Sequence, residues 1–226
     1  TVNNTLPSID SLFIEPNTDL TAQSQTECFA QTSDIDGGAP LLVYSWELAN
    51  GFVLGEDPFI SFDPQQIFPD DEVFCKVTAI DEHGGTTTQS ASVVILNSAP
   101  KISNINITPE FPLANSILFC EAEALDINKD EFSTSYVWFD ENGRLIEDGQ
   151  TFVLSPDFAT STMTFTCSVE VVDSRGASDV GTLDTVIVNA RPTISSATLS
   201  PFNATSQDNL ECTPGEIDDI DSDPIS

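Results

Sequence analysis

Basic residues are scarce in this chain. It holds six Lys and Arg against 37 Asp and Glu, one His, and a formal net charge of −31 over 226 residues. So acidic a chain repels phosphate backbones and anionic lipid surfaces, which excludes nucleic acid as a partner. Long apolar runs are missing as well. No stretch approaches the ~20 residues that cross a bilayer as a helix, so direct membrane insertion is not expected. The lone histidine, His83, has no nucleophile motif around it. Neither a His–Cys zinc spacing nor a phosphate-cradling glycine loop is present. A non-enzymatic protein is expected.

What is present is apolar residues and repetition. Hydrophobic residues make up 39% of the chain, with 15 Phe, enough to fill a core despite the charge. Cys28, Cys120 and Cys212 stand 92 residues apart, as do Cys75 and Cys167, and Trp46 and Trp138. A fixed period of this length marks a tandem array of folded units. Strand signals recur in step with it. Val73, Cys75, Val77 and Ala79 fall at alternate positions, as do Phe165, Cys167, Val169 and Val171, so each set would face one side of a strand. Thr26, Cys28 and Ala30 match Leu118, Cys120 and Ala122. The expected fold is all-β.

Each cysteine pair spans 47 residues, with a tryptophan 18 residues after its first member. This Cys–Trp–Cys interval resembles the immunoglobulin-like domain over residues 1–190, taken twice. The resemblance implies Greek-key β-sandwiches, two complete and one partial. It implies inter-sheet bridges Cys28–Cys75 and Cys120–Cys167, with Trp46 and Trp138 packed on them in the core. Bridges of this kind belong to an oxidising, extracellular or cell-surface setting. The antibody-type tyrosine corner is missing, with Val73 and Phe165 in its place.

The expected domains are 1–97, of which 1–6 is the tail of a preceding module, then 98–190, then 191–226 as the first two strands of a third module. Each opens on a strand bracketed by prolines: Pro7 and Pro16, Pro100 and Pro109, Pro192 and Pro201. The linkers Ser98-Ala99 and Ala190-Arg191 are too short to act as flexible tethers. The partner of Cys212 falls beyond Ser226, so the chain is read as cut from something longer. Alone, the third segment is expected to be poorly ordered. Completion of it by another chain would give a polymer of identical chains.

An acidic loop follows the first cysteine of each repeat: Asp34-Ile35-Asp36, then Asp126-Ile127-Asn128-Lys129-Asp130, then Asp219-Ile220-Asp221-Ser222-Asp223. A second acidic turn holds Asp81 or Asp173. Oxygen ligands at alternating positions suit a hard cation such as Ca2+. The pattern resembles calcium-stiffened junctions in bacterial surface arrays of immunoglobulin-like, polycystic-kidney-disease-like or cadherin-like repeats. The Trp-Asp-Phe-Gly-Asp-Gly signature is absent, since Glu47-Leu48-Ala49-Asn50 follows Trp46. The loops also lack the 12-residue EF-hand form. In an immunoglobulin-like sandwich both acidic loops meet at the end where the chain enters. That places Asp126, Asn128, Asp130 and Asp173 near Asn97, and by repetition involves Asn189.

Phe52, Phe59, Phe62, Phe68, Phe139, Phe152 and Phe158 are read as core or inter-domain packing, with glycan binding by an exposed row as the alternative. Phe74 and Phe119 are expected to point outward. Asn142-Gly143 and Asp148-Gly149 read as hairpin corners. Together these readings predict a non-enzymatic stalk or fibre-forming segment of an extracellular array, stiffened by Ca2+. Its partners would be neighbouring modules and identical chains. A glycan- or protein-binding adhesin, or an accessory module of a secreted enzyme, is the alternative.

Overall fold

The structure is a computed structural model that describes residues 3–221. Among these residues every regular element is a strand. The first repeat runs β1 (Ser8–Glu15), β2 (Gln25–Ser33), β3 (Leu41–Leu48), β4 (Val53–Gly55), β5 (Phe59–Ser61), β6 (Glu72–Ile80) and β7 (Thr86–Val94). These form two antiparallel sheets, ordered β1-β2-β5 and β4-β3-β6-β7. The alternation seen in β6 becomes a wall: Val73, Cys75, Val77 and Ala79 are fully buried, while Glu72 and Lys76 face solvent. Hydrophobic side chains from the facing sheet, Ile9, Ile14 and Ile60, close the core.

The second repeat copies this order. It runs β8 (Lys101–Thr108), β9 (Ile117–Leu125), β10 (Phe132–Asp140), β11 (Leu145–Asp148), β12 (Thr151–Val153), β13 (Thr164–Asp173) and β14 (Ser178–Val186). Its sheets are β12-β9-β8 and β11-β10-β13-β14. The copying extends to single hydrogen bonds. The Trp46 indole donates to the Asp57 carbonyl at 3.0 Å, and the Trp138 indole to the Gly149 carbonyl at 3.1 Å. Both sheets of each repeat are joined covalently: the Cys28–Cys75 and Cys120–Cys167 sulfurs are 2.01 and 2.10 Å apart.

These are tandem immunoglobulin-like β-sandwiches. They differ from the constant-type antibody domain in one strand. There the fourth strand completes a four-stranded sheet with the first, second and fifth. Here β4 and β11 pair with β3 and β10, in the opposite sheet. Asp148-Gly149 is therefore not a hairpin corner. It lies where the chain leaves β11 in one sheet for β12 in the other. Asn142-Gly143 does form the corner between β10 and β11, with Gly143 in the left-handed region at φ 75°.

The chain divides into two compact units that do not follow the repeat boundaries. One takes the residues through Pro100 together with Asp126–Phe132 and Asp173–Ala177. The other takes Lys101–Leu125, Ser133–Val172 and the residues from Ser178 onward.

The third segment holds two strand pairs. β15 (Thr193–Ile194) pairs with β18 (Ile217–Asp218), and β16 (Ala197–Ser200) with β17 (Glu211–Pro214). The register is inherited: Leu199 lies opposite Cys212, as Ile14 lies opposite Cys28 and Ile107 opposite Cys120. What it lacks is cover. Leu199 and Leu210 are more than half exposed, and Cys212 is free and exposed.

Candidate cation site

Asp126 opens the turn after β9, and the chain curls around its side chain. Asp126 Oδ1 accepts the backbone N–H groups of Asn128 at 2.7 Å and Asp130 at 3.4 Å. This is the local bonding that favours Asp in turns. It leaves Asp126 Oδ2 with no partner, in a residue only 3% exposed. Asp173, at the end of β13, does the same in the other acidic turn. Its Oδ1 accepts the N–H groups of Arg175 at 2.9 Å and Ala177 at 2.8 Å. Its Oδ2 accepts from Asn97 Nδ2 at 2.6 Å. Burial opposes the Asp173 charge, but the bonds from Asn97, Ala177, Arg175 and Gly176 outweigh it and hold the carboxyl below its ordinary range.

The first compact unit thus gathers Asn97, Asp126, Asn128, Asp130 and Asp173. One oxygen from each of Asp126, Asp130 and Asp173 lies within 4.8 Å of the others. Asn97 Oδ1 and Asp130 Oδ2 are also buried without a hydrogen-bond partner. Unpaired buried oxygens are costly, and several of them in residues of a converging acidic group call for a positive partner. Asn128 plays a different part from a ligand. Its Oδ1 accepts the Ser98 N–H at 2.9 Å, so the loop clasps the backbone just after Asn97.

The first repeat builds the same clasp with other residues. Asn4 Nδ2 donates to Asp81 Oδ2 at 2.9 Å, and the Thr5 N–H donates to Asp36 Oδ2 at 2.9 Å. The Asn4 side chain is the first cause of the lowered Asp81 pKa. Asp34 and Asp36 share one exposed loop. Asp34 is shifted up by desolvation and by its neighbour, whereas the Thr5 N–H and other bonds outweigh desolvation and shift Asp36 down. Three acids do not converge there: among the described residues the only such group is the one at Asp126. The reason is the fifth loop position, which holds Gly38 where the second repeat has Asp130. In the third copy Asp221 Oδ2 accepts the Ala190 N–H, and Asp221 Oδ1 is buried and unpaired. Asp219 accepts the Asp221 N–H at 3.0 Å, and Asn189 bonds the Ala190 carbonyl at 2.8 Å. Asp223 lies outside the described residues.

Sequence reasoning missed Asn4, Thr5 and Ser98, the linker residues being clasped, and the basic neighbour Arg175. Asn4 was open to detection, because Asn4, Asn97 and Asn189 each stand just before the opening strand of a repeat. The Phe residues sort by side of sheet. Phe62 and Phe152 are buried beside Trp46 and Trp138. Phe52, Phe59, Phe68 and Phe158 are about half exposed. Phe74, Phe119 and Phe139 are half-buried. Phe13 and Phe29 stack on the solvent side of the β1-β2-β5 sheet, with ring centres 5.2 Å apart.

Fold, bridges and repetition define the class: a tandem, disulfide-bridged immunoglobulin-like β-sandwich protein. No family model matches the sequence, and no curated protein matches it. Solved structures resemble it at low identity. Fibronectin(III)-like modules of Clostridium thermocellum CbhA are 12% identical, covering 81% of this chain and 94% of that one at a TM-score of 0.29. Domains of a 1.5-MDa bacterial ice-binding adhesin are 17% identical, covering 91% and 71% at 0.34. Three N-terminal domains of the bacteriophage RB49 highly immunogenic outer capsid protein are 14% identical, covering 93% and 69% at 0.34. The fold assignment rests on this chain's own strand pairing and bridges.

Proposed function

We propose that this chain is a non-enzymatic segment of an extracellular array of immunoglobulin-like repeats, 1–97, 98–190 and a partial copy from 191, whose linker at Asn97–Ser98 is fixed by a bound Ca2+. The observation that carries the reading is the set of buried, unpaired oxygens of Asn97, Asp126 and Asp130 beside Asp173. Carboxylate and amide oxygens are hard ligands. Ca2+ bonds them at 2.3–2.6 Å, so ligands on opposite sides of the ion stand about 5 Å apart, which suits oxygens within 4.8 Å of each other. A cation here draws the amide of Asn97 and the two acidic loops onto one point, so tension along the chain is resisted by the ion and the two bridges.

The test is calorimetric titration of the chelator-stripped chain with CaCl2, with melting followed in parallel. Binding and a higher melting temperature are expected. Asp126→Asn removes the free carboxylate oxygen and should weaken binding by about tenfold or more. Absence of heat and of any melting shift in the unaltered chain would remove the ion from the account. An extended stalk predicts a Ca2+-dependent increase in maximum dimension by solution scattering.

A further inference from the structure

The Arg175 main chain bonds Asp173, and its side chain lies beside this cluster. Its Nη1 is 2.5 Å from Asp70 Oδ2, and its Nε is 3.4 Å from Asp130 Oδ2. The second contact is an ion pair without hydrogen-bond alignment, so Asp130 Oδ2 remains unpaired as a hydrogen-bond acceptor. All of these residues belong to the first compact unit. We propose that Arg175 is the resident counter-cation of the cluster, competing with a divalent ion for Asp130 while Asp70 holds it aside. The idea rests on the cation reading and sets how strongly the site binds.

Three features support it. First, the cluster sets three carboxylates within 4.8 Å of one another, and like charges this close in a buried setting repel strongly. A fixed positive charge at its edge lowers that repulsion while no metal is bound. Second, the guanidinium reaches Asp130 Oδ2, an oxygen the cation reading assigns to the ion, so the two positive charges address the same atom. Third, the chain contains its own comparison. Where the second repeat has Asp130 and Arg175, the first has Gly38 and His83 in the corresponding positions. Each repeat has three loop aspartates, but Asp36 stands where the second repeat has Asn128, so the permanently charged base accompanies an acid at the position of Asp130 and the weak base accompanies glycine there. Main-chain geometry does not demand arginine, because the His83 N–H bonds Asp81 Oδ1 at 2.8 Å much as the Arg175 N–H bonds Asp173.

The sign of the effect follows from Coulomb's law. A guanidinium near a ligand oxygen repels an incoming Ca2+, so removing it tightens binding. Asp70 pulls the guanidinium outward, so neutralising Asp70 frees Arg175 to press on Asp130 and weakens binding. Both effects are screened by salt, because Asp70 is largely exposed and Arg175 partly so.

The experiment titrates CaCl2 into the whole chain, Arg175→Gln, Arg175→Lys and Asp70→Asn, at low and at high NaCl, with circular dichroism confirming the fold. At low salt Arg175→Gln should bind roughly 3–10-fold tighter than the parent and Asp70→Asn weaker by a similar factor. Arg175→Lys keeps the charge and should stay within about twofold of the parent. High salt should shrink every difference. Without metal, Arg175→Gln should melt below the parent. If the parent binds Ca2+ and Arg175→Gln binds equally or less well, the competition is overturned while the cation site stands. If only Arg175→Gln binds, the competition stands and the native calcium site falls. If neither binds, both fall.

Discussion

At the scale of single residues, equivalent positions carry equal duties with different neighbours. Trp46 and Trp138 are both fully buried on a bridge. Trp46 meets Phe62 edge-on at 6.5 Å, whereas Trp138 joins a cluster in which Phe152 touches Trp138, Phe158 and Phe165. Replacing Trp138 by Ala removes a ring from a packed core and should cost about 3–5 kcal/mol, read from the urea midpoint of the second repeat. Gly85 shows a narrower constraint. A Cβ there would lie 2.3 Å from Asp81 Oδ2 and 3.1 Å from Asn4 Nδ2. Gly85→Ala should therefore displace the Asp81 and Asn4 side chains, visible as a changed Asn4 side-chain amide resonance, while the clasp itself re-forms, since the Asn97–Asp173 bond stands beside the methyl group of the corresponding Ala177.

At the scale of elements, the sheets are held by bridges and by single polar pins. Each disulfide closes a separation of 47 residues, worth about 4 kcal/mol in the chain-entropy model. The Cys28→Ala/Cys75→Ala variant should lose about that much in urea unfolding of the first repeat, and the second repeat should keep its own midpoint. Asp179 pins β14 to the start of β8. It accepts the Ile102 N–H at 3.1 Å and Lys101 Nζ at 3.2 Å. The Ile102 bond, then Lys101, outweigh desolvation and depress its pKa. A depressed carboxyl stabilises the fold at pH above its unfolded value near 4 and loses that contribution as pH falls through the folded value. Asp179→Asn should flatten the acid limb of the stability profile below about pH 4. The effect should be about 1 kcal/mol or less, since the side chain is a quarter exposed. The strand pattern of each repeat was legible because alternation and cysteine spacing are local marks. The switch of β4 and β11 to the other sheet was not, since three- or four-residue strands carry no periodic signal.

At the scale of the whole molecule, charge dominates. A net charge of −31 makes the compact state repel itself. Raising NaCl from about 0.02 to 0.5 M should raise the melting temperature by screening that repulsion, at a Debye length falling below about 10 Å. Millimolar CaCl2 should raise it further than the same ionic strength of NaCl, and that excess should vanish in Asp126→Asn. Equal shifts from the two salts would mean general screening alone.

The order of strands, the cysteine and tryptophan positions and the acidic loops were determined by sequence alone, because each is a repeat of residue type at fixed spacing. Tertiary structure decided which acids converge. Asp34, Asp36 and Asp81 match Asp126, Asn128 and Asp173 by spacing, yet only the second set gathers unpaired buried oxygens, with Asp130 as its third acid. Gly38 against Asp130, with Asp36 against Asn128, separates them. The depth at which each carboxylate sits, and the base beside it, depend on contacts with residues far away in the chain.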